Sequence, residues 1–214
     1  MTIKNILMNA QTKETQSALG HDQIIDLLKE GNARFIANKK LDRNLSLQVA
    51  QTSGGQFPFA TVLSCIDSRI PVETIFDQGI GDLFSVRIAG NFVNDDILGS
   101  MEFACKLAGS KVLLVMGHTA CGAVKGACDN AELGKLTGML EKIKPAVEAV
   151  ENPKEASART SANLDFVNEV ARKNVSLTLE AIRGGSEVLA AMEANGEIQL
   201  IGAMYDVATG EVLF

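Results

Sequence analysis

The chain has 214 residues, of which 46% are hydrophobic and 21% charged, and it carries a net charge of −6. This composition excludes an intrinsically disordered chain, which would combine low hydrophobicity with high net charge, and the acidic balance argues against a nucleic-acid partner. The longest uninterrupted aliphatic run covers residues 112–116, far short of the roughly 20 residues that cross a membrane. The length predicts one domain.

The amino-terminal half alternates helical patterns with short apolar runs. A helix is predicted over residues 22–37, with Asp22 as its N-cap, and a loop rich in glycine and polar residues follows, ending at residues 53–55. The next elements, in chain order, are a buried strand at 59–65, a short helix at 70–76, a strand at 83–88, an amphipathic helix at 94–107 capped by Asn94 or Asp95, and a central strand at 111–116.

The carboxyl-terminal half continues the alternation. Its elements, in chain order, are a helix after residues 117–118, helices at 133–150, 163–182 and 186–194, and strands at 198–205 and 211–214 joined through 208–210. The polar stretch at 152–160 is the candidate linker, and it is not expected to divide domains. The whole pattern predicts an α/β fold with a mainly parallel central β-sheet flanked by helices and an antiparallel edge strand.

Metal-ligating side chains follow two of the predicted strands. Cys65 ends the strand at 59–65, while His118 and Cys121 follow the strand at 111–116, three residues apart. Because ligands in parallel sheets sit at the carboxyl ends of the strands, these three side chains are expected to meet. Two thiolates, one imidazole and an open fourth position make up a ligand set of catalytic zinc sites.

The remaining cysteines and the second histidine lack such a pattern. Cys105 lies within a helical apolar pattern, and Cys128 has no neighbour of a ligand type except Asp129. Both are expected in the core, because free cysteine is among the most buried residue types. His21 stands in a polar segment, where a solvated or capping role is expected.

Asp67 and Arg69 alternate on the segment that follows Cys65, so their side chains should point the same way if the strand geometry continues. One interpretation is a surface ion pair, which would contribute little stability. The other is a buried bidentate clamp, in which the guanidinium fixes the orientation of the carboxylate. The neighbouring candidate ligand favours the clamp.

The order Cys-x-Asp-x-Arg and then His-x-x-Cys, with 53 positions from Cys65 to His118, resembles the β-class carbonic anhydrases. The similarity covers residues 59–125, and the ending at 202–206 is also similar to the family's last strands. It includes the segments SVRIAGN at 85–91, GSMEFA at 99–104 and GHTACGAVKG at 117–126.

The resemblance implies that Cys65, His118 and Cys121 bind one zinc ion per subunit. The implied enzyme is a carbonate dehydratase, a zinc lyase that reversibly hydrates CO2 to bicarbonate and a proton. In the implied mechanism a zinc-bound hydroxide attacks CO2, and an Asp-Arg dyad that Asp67 and Arg69 match orients it.

The resemblance also implies a set of substrate-binding residues. Gln56 matches a glutamine that donates to the substrate, and Gly122 matches the position whose backbone N–H faces the substrate. Phe84 and Ala89 match pocket walls, and Phe103 stands where some members have a tyrosine that lines the pocket from the partner subunit.

A homo-oligomer, dimer or tetramer, with the active site at the subunit boundary is implied as well. The resemblance places a single β-carbonic anhydrase-like domain over residues 1–214, with residues 1–21 as an amino-terminal arm. The apolar residues 6–8 are too few for a secretory signal. A cytoplasmic protein with no membrane or nucleic-acid partner is therefore expected.

Three other functions remain as alternatives. A related hydrolase that acts on CS2 or COS would share the same zinc site. A zinc-binding module without activity would have a degraded dyad, whereas Asp67 and Arg69 are both present. A nucleotide-binding α/β domain would carry a glycine-rich phosphate motif, and neither G-x-G-x-x-G after the first strand nor G-x-x-x-x-G-K-[ST] occurs.

Overall fold

One five-stranded sheet organises residues 8–214, the part of the chain that the computed structural model describes. The strands are β1 (Ala60–Ser64), β2 (Leu83–Arg87), β3 (Val112–His118), β4 (Gln199–Tyr205) and β5 (Val212–Leu213). Their order in the sheet is β2-β1-β3-β4-β5; the first four run parallel, and β5 pairs antiparallel with β4. This confirms the predicted α/β fold, including the antiparallel edge strand.

The two central strands are buried along their whole length. Every residue of β1 and β3 is buried, as expected for parallel strands covered by helices on both faces. Their register aligns Ser64 with Met116. The residues that follow β1 therefore leave the sheet beside the last residues of β3, where both strands have their carboxyl ends.

Helices cover both faces of the sheet. Within residues 8–214 they are α1 (Lys13–Ala18), α2 (His21–Ile36), α3 (Leu45–Thr52), α4 (Val72–Ile75), α5 (Asp95–Glu102), α6 (Gly122–Cys128), α7 (Gly134–Leu140), α8 (Lys144–Ala149), α9 (Leu164–Gly185) and α10 (Glu187–Ala194). A π-helical turn, Phe103–Leu107, continues α5, and a 3-10 turn covers Ala156–Ala158. No helix of this part of the chain is long and apolar enough to cross a membrane.

Side-chain caps explain where several helices begin. Asn94 accepts a hydrogen bond from the Ile97 N–H, which confirms it as the cap of α5, and Asn163 caps α9 in the same way. The predicted N-cap of the first long helix was wrong. Helix α2 begins at His21, with Gly20 as its N-cap, so Asp22 lies inside its first turn.

Helix α3 occupies residues for which a polar loop was predicted. Its apolar side chains Leu45, Leu47 and Val49 are exposed, whereas Gln48 is completely buried. The Gln48 side-chain oxygen accepts from the Ile80 N–H at 3.1 Å. The usual apolar-inward pattern is therefore inverted, and the glycine and polar residues of the stretch, from which a loop was predicted, did not indicate the helix.

Of two longer helical predictions, the one at 133–150 was wrong in its extent, and the one at 94–107 differs from the structure only in the type of helix at its end. Residues 133–150 form two helices, because α7 ends at Leu140 and α8 begins again at Lys144 with a proline in its first turn. The helix at 94–107 is α-helical only as far as Glu102 and then widens into the π-helical turn.

The predicted amino-terminal arm, residues 1–21, lies partly outside the described residues, and the single domain over 1–214 stays a prediction. Helix α1 in the described part of the arm is fixed to the segments that precede β1 and β3. The Gln16 amide donates to the Pro58 and Ala108 carbonyls, both at 2.8 Å.

Asp82 is a buried carboxyl just before β2. It is fully inaccessible to solvent, accepts from the Gly79 N–H at 2.7 Å and from the Gln11 amide at 3.2 Å, and has no ion-pair partner within 4 Å among residues 8–214. Burial raises the pKa of this carboxyl to about 6. The folded chain therefore retains a proton on Asp82 that the unfolded chain, with an ordinary aspartate pKa of about 4, has already released.

Between these two pKa values the folded state binds the additional proton, so stability falls as the pH rises. The substitution Asp82→Asn should remove this loss of stability with rising pH. The free energy of unfolding of the variant, relative to the native chain, should rise by about 1 kcal/mol from about pH 5 to about pH 8. Urea unfolding at both pH values measures the change, with the exposed Asp22→Asn as matched control. The prediction would be contradicted if the free energies of unfolding of Asp82→Asn and the native chain differed by the same amount at both pH values.

Candidate metal centre

Three elements bring Cys65, His118 and Cys121 together. Cys65 follows β1, His118 is the last residue of β3, and Cys121 is the N-cap of α6. The two Sγ atoms are 4.0 Å apart, and the three ligand atoms all lie within 4.8 Å of one another. Two sulfurs bound to one tetrahedral zinc ion, each at about 2.3 Å, would be about 3.8 Å apart. The spacing of the thiols therefore fits such an ion.

His118 presents one ring nitrogen to this cluster. Its Nδ1 donates to the Thr119 carbonyl at 3.0 Å, which places the proton on Nδ1 and leaves a lone pair on Nε2. Nε2 is buried and has no hydrogen-bond partner among residues 8–214. A buried acceptor with no partner is costly, and a metal ion between the imidazole and the two sulfurs would satisfy it. The donors present fit a zinc ion.

The two thiols are close enough to influence each other. The Cys121 thiol, the His118 ring and the Gly90 N–H hold the pKa of Cys65 below its ordinary value despite burial. The same sulfur–sulfur contact, followed by burial, raises the pKa of Cys121. The pair therefore releases its first proton easily and its second with difficulty. A dication would compensate the charge of the second thiolate and so release that proton.

The Gly90 N–H donates to the Cys65 sulfur at 3.3 Å. Gly90 follows β2 in a turn that the Asn91 N–H closes onto the Ile88 carbonyl, and its φ is +79°. A Cβ atom here would lie 2.4 Å from Ile143 Cδ1. The backbone conformation favours glycine at this position, and a Cβ atom would in addition require the Ile143 side chain to shift.

Asp67 and Arg69 form a two-point ion pair beside the ligands. The Arg69 Nε and Nη2 atoms donate to the two Asp67 oxygens at 2.9 and 2.7 Å, and the Arg69 backbone N–H adds a third bond at 3.0 Å. Asp67 Oδ2 lies 4.0 Å from His118 Nε2. The bidentate arrangement is the one predicted, but it is not buried in the single chain, since the Arg69 side chain is 49% exposed.

The guanidinium of Arg69 holds the pKa of the Asp67 carboxyl well below its usual range. The carboxylate therefore remains ionised and can only accept hydrogen bonds. An acceptor held at this distance from the ligands can bind and orient a donor placed in the space between them.

Arg87 is a residue of the centre that the sequence analysis missed. Its Nε donates to the Cys65 carbonyl at 3.0 Å, and its Nη2 donates to the Asp67 carbonyl at 2.6 Å. It thereby fixes the backbone that carries a ligand and the dyad. The only signal in the sequence was its place in the segment 85–91, to which no role was given.

The whole centre lies within a segment that matches a known family. The model of the carbonic anhydrase family matches residues 60–212. The carbonic anhydrase of Mycolicibacterium smegmatis is 34% identical over 191 residues, which are 86% of this chain and 88% of that protein. The chain belongs to the β-carbonic anhydrase family.

Further members of the family agree in sequence and in fold. Carbonic anhydrase 2 of Mycobacterium tuberculosis is 34% identical over 192 residues, which are 87% of this chain and 88% of that protein. The β-carbonic anhydrase CafA of Aspergillus fumigatus superimposes with a TM-score of 0.65 at 28% identity, over 77% of this chain and 78% of that one. This chain is an enzyme of the same lyase family.

The pocket residues predicted for this β-carbonic anhydrase do not all lie at the centre. Gly122 is the first residue of α6, directly after a ligand, and Ala89 precedes the Gly90 N–H donor. Gln56 lies before β1 and Cys65 directly follows it, so the strand, which is about 17 Å long, lies between them within one chain.

Phe84 and Phe103 pack on each other away from the ligands. Their ring centroids are 6.3 Å apart in an edge-to-face arrangement, beside the outer strand β2. They line a groove of about 770 Å³ together with residues of α5. Within one chain, therefore, Phe103 contacts Phe84, which was predicted as a pocket wall. About half of the Phe103 surface remains exposed.

Cys121→Ala should abolish stoichiometric zinc binding, because it removes one of three ligands. Cys105→Ala is the matched control, since Cys105 is also a buried free thiol but lies outside the cluster, and it should retain one zinc per chain. Metal analysis of the purified proteins after dialysis measures both. Equal zinc content in the two variants would contradict the assigned ligand set.

Proposed function

We propose that this enzyme catalyses the reversible hydration of CO2 to bicarbonate and a proton, with zinc as its cofactor. The observation that carries the proposal is the ionised Asp67 carboxylate beside three buried ligand atoms, one of which lacks any partner in the described part of the chain. These groups provide a site for a metal and an acceptor that orients the attacking water.

Cys65, His118 and Cys121 would hold the zinc ion, one per subunit. When bound, zinc acts as a Lewis acid that makes water a nucleophile near neutral pH. The Thr119 carbonyl keeps the proton on His118 Nδ1, so that the Nε2 lone pair stays available for the metal. The Gly90 N–H donates to the Cys65 sulfur and limits the charge that this sulfur carries.

Asp67 would accept a hydrogen bond from the nucleophile and direct its lone pair toward the carbon of CO2. Arg69 keeps the carboxylate ionised and in one orientation through two side-chain bonds. This orientation supplies the positional part of catalysis. Because Arg69 is half exposed in the single chain, a second subunit that covers it would strengthen the ion pair.

Gly122 would stabilise the oxygen that gains charge during the attack. The first N–H groups of a helix have no partner within the helix, and that of Gly122 directly follows the Cys121 ligand. A backbone donor aimed at developing charge is the arrangement of an oxyanion hole. Ala89 is proposed as an apolar wall suited to CO2, which has no net dipole. Phe84 lies away from the ligands of its own chain, so it would have to line the site of a second subunit.

Stopped-flow CO2 hydration from about pH 6.5 to about pH 9 tests the function directly. The zinc-loaded chain should hydrate CO2 faster than buffer alone, with activity that rises toward alkaline pH. The same preparation is then assayed with CS2 and COS. Hydrolysis of either compound without CO2 hydration would favour the related hydrolase, and a zinc-loaded chain inactive on all three would favour a zinc-binding module.

Asp67→Asn should retain zinc and lose CO2 hydration by roughly 100-fold or more, because an amide cannot replace the ionised acceptor. Asp26→Asn, at an exposed position of α2, removes the same charge far from the centre and is the matched control. Zinc content and stopped-flow rates of both variants are measured together. Full activity of Asp67→Asn at every pH would show that the dyad is not needed.

We further propose that the enzyme is a homodimer or a tetramer with its active site at the subunit boundary. Strand β2 is the outermost strand of the sheet, so its outer edge has no strand partner within residues 8–214. The apolar side chain of Phe103, which packs on Phe84 of this strand, is 52% exposed. If Gln56 binds substrate, a second copy has to supply it, since the intervening strand separates Gln56 from its own ligands.

Phe103→Glu should weaken this association, because it places a charge in the apolar groove beside β2. Leu133→Glu is the control, since Leu133 is 71% exposed and lies at the start of α7. Sedimentation velocity should give at least twice the 22.8 kDa chain mass for the native protein and for Leu133→Glu, and a lower mass for Phe103→Glu. A native protein that sediments as a single chain would contradict the proposed assembly.

We also propose a cytoplasmic location. All four cysteines are free, and Cys65 and Cys121 lie near enough to be oxidised together if they carried no metal. A reducing compartment keeps such thiols available as zinc ligands.

A further inference from the structure

Helix α9 carries three polar side chains that hydrogen-bond to the loops of the metal centre. They are Asn168, Asn174 and Thr178, and each bonds to backbone more than 40 positions away in the chain. Asn174 and Thr178 are each only 3% exposed. Buried amides and hydroxyls are retained where they satisfy specific partners, so the identity of these partners matters.

Asn174 holds the residue that donates to a ligand. Its amide Nδ2 donates to the Gly90 carbonyl at 2.7 Å, and the N–H of the same Gly90 donates to the Cys65 sulfur. Thr178, one turn further along α9, donates to the adjacent Asn91 carbonyl at 3.3 Å. Two successive carbonyls of the turn are thus held by one helix face, and with them the direction of the Gly90 N–H.

Asn168 holds the other ligand loop. Its Oδ1 accepts from the Ala120 N–H at 2.9 Å. Ala120 lies between His118 and Cys121 and has a φ of +54°, a left-handed conformation that is unfavourable for alanine. The hydrogen bond stabilises the conformation that turns the chain back and brings the two ligands to one point.

Helix α9 itself is fixed against the sheet at the same level. Val175, the residue after Asn174, packs between Gly117 of β3 and Gly202 of β4. A Cβ atom on Gly117 or Gly202 would lie 2.7 or 2.8 Å from a Val175 methyl carbon. The close approach permits no side chain at either glycine, so the helix has one position relative to the strand that carries His118.

We propose that Asn168 and Asn174 are positioning residues of the metal centre, through which α9 sets the geometry of both ligand loops. This inference rests on the zinc site proposed above. Neither side chain contacts the ligand atoms. Asn174 acts through Gly90 on the environment of Cys65, and Asn168 acts through Ala120 on the spacing of His118 and Cys121. Loss of either contact should loosen metal binding without removing a ligand.

The chain offers a close control for Asn174. Asn32 is also a buried helical asparagine, 4% exposed, and donates to the carbonyl of a left-handed glycine, Gly210, at 2.9 Å. That glycine lies in the turn between β4 and β5 and bonds to no ligand. Asn32 also donates to the Ile75 carbonyl and accepts from the Val212 N–H, so Asn32→Leu removes more hydrogen bonds than Asn174→Leu does. Only the contact of Asn174 leads to the metal centre.

The experiment measures zinc affinity of the full chain by competition with a chromophoric chelator, and the absorption of its Co2+ form. Asn174→Leu should bind zinc about 10–100-fold more weakly than the native chain, the usual effect of removing a group that supports a ligand. Its thiolate-to-Co2+ charge-transfer bands should shift, since the Gly90 N–H no longer fixes one sulfur. Asn32→Leu should lose thermal stability yet keep native zinc affinity and spectrum.

A second pair of variants does not depend on how well Asn174→Leu folds. Asn168 is only partly buried, and its contact needs an acceptor alone. Asn168→Asp keeps the acceptor and should keep native zinc affinity, whereas Asn168→Leu should weaken it about 10-fold. The conservative variant thus separates the hydrogen bond from the general effect of a substitution here.

The inference would be overturned if Asn168→Leu and Asn174→Leu both bound zinc with the affinity of the native chain. Equal weakening in Asn168→Asp and Asn168→Leu would overturn it as well, as would a loss in Asn32→Leu as large as that in Asn174→Leu. A native chain that binds no zinc would overturn the proposed function itself and this inference with it. The failure of each proposal can therefore be distinguished.

Discussion

The parallel pairing of β1 with β3 is the constraint on which the rest of the structure depends. It aligns Ser64 with Met116, so Cys65 leaves β1 level with Gly117, one residue before His118. A slip of this register by one residue would turn the buried side chains of one strand to the other face of the sheet. The burial of both strands holds the register, so the apolar core supplies the energy that assembles a polar site.

The cluster of Cys65, His118 and Cys121 was predictable because each residue lies within a few residues of a strand end, where topology brings distant segments together. The contacts that support the ligands were not predictable in this way. Asn168 and Asn174 are 48 and 84 positions from their partners, and an amide on a helix leaves no periodic signal. Arg87 belongs to the same class, since its two acceptors are backbone carbonyls whose positions only the folded turn defines.

The helix that the sequence analysis missed has a physical explanation. Helix α3 points its apolar side chains outward and buries Gln48, and a loop was predicted there from the glycine and polar residues of the stretch. A second chain that covers these exposed side chains would explain them, because a single chain does not show the surface that becomes buried between subunits. Gln56 presents the same difficulty, since a resemblance assigns it to the pocket without stating which subunit provides it.

Helix α9 also limits where residues can be inserted into this enzyme or deleted from it. Because a helix turns by about 100° per residue, one residue inserted between Asn168 and Thr178 would rotate one contact away from its loop while leaving the other in place. Both ligand loops would then be held only if a second change in chain length compensated for the insertion. Changes in chain length should therefore be tolerated before Leu164 or after Gly185, at the ends of the helix, and not within it.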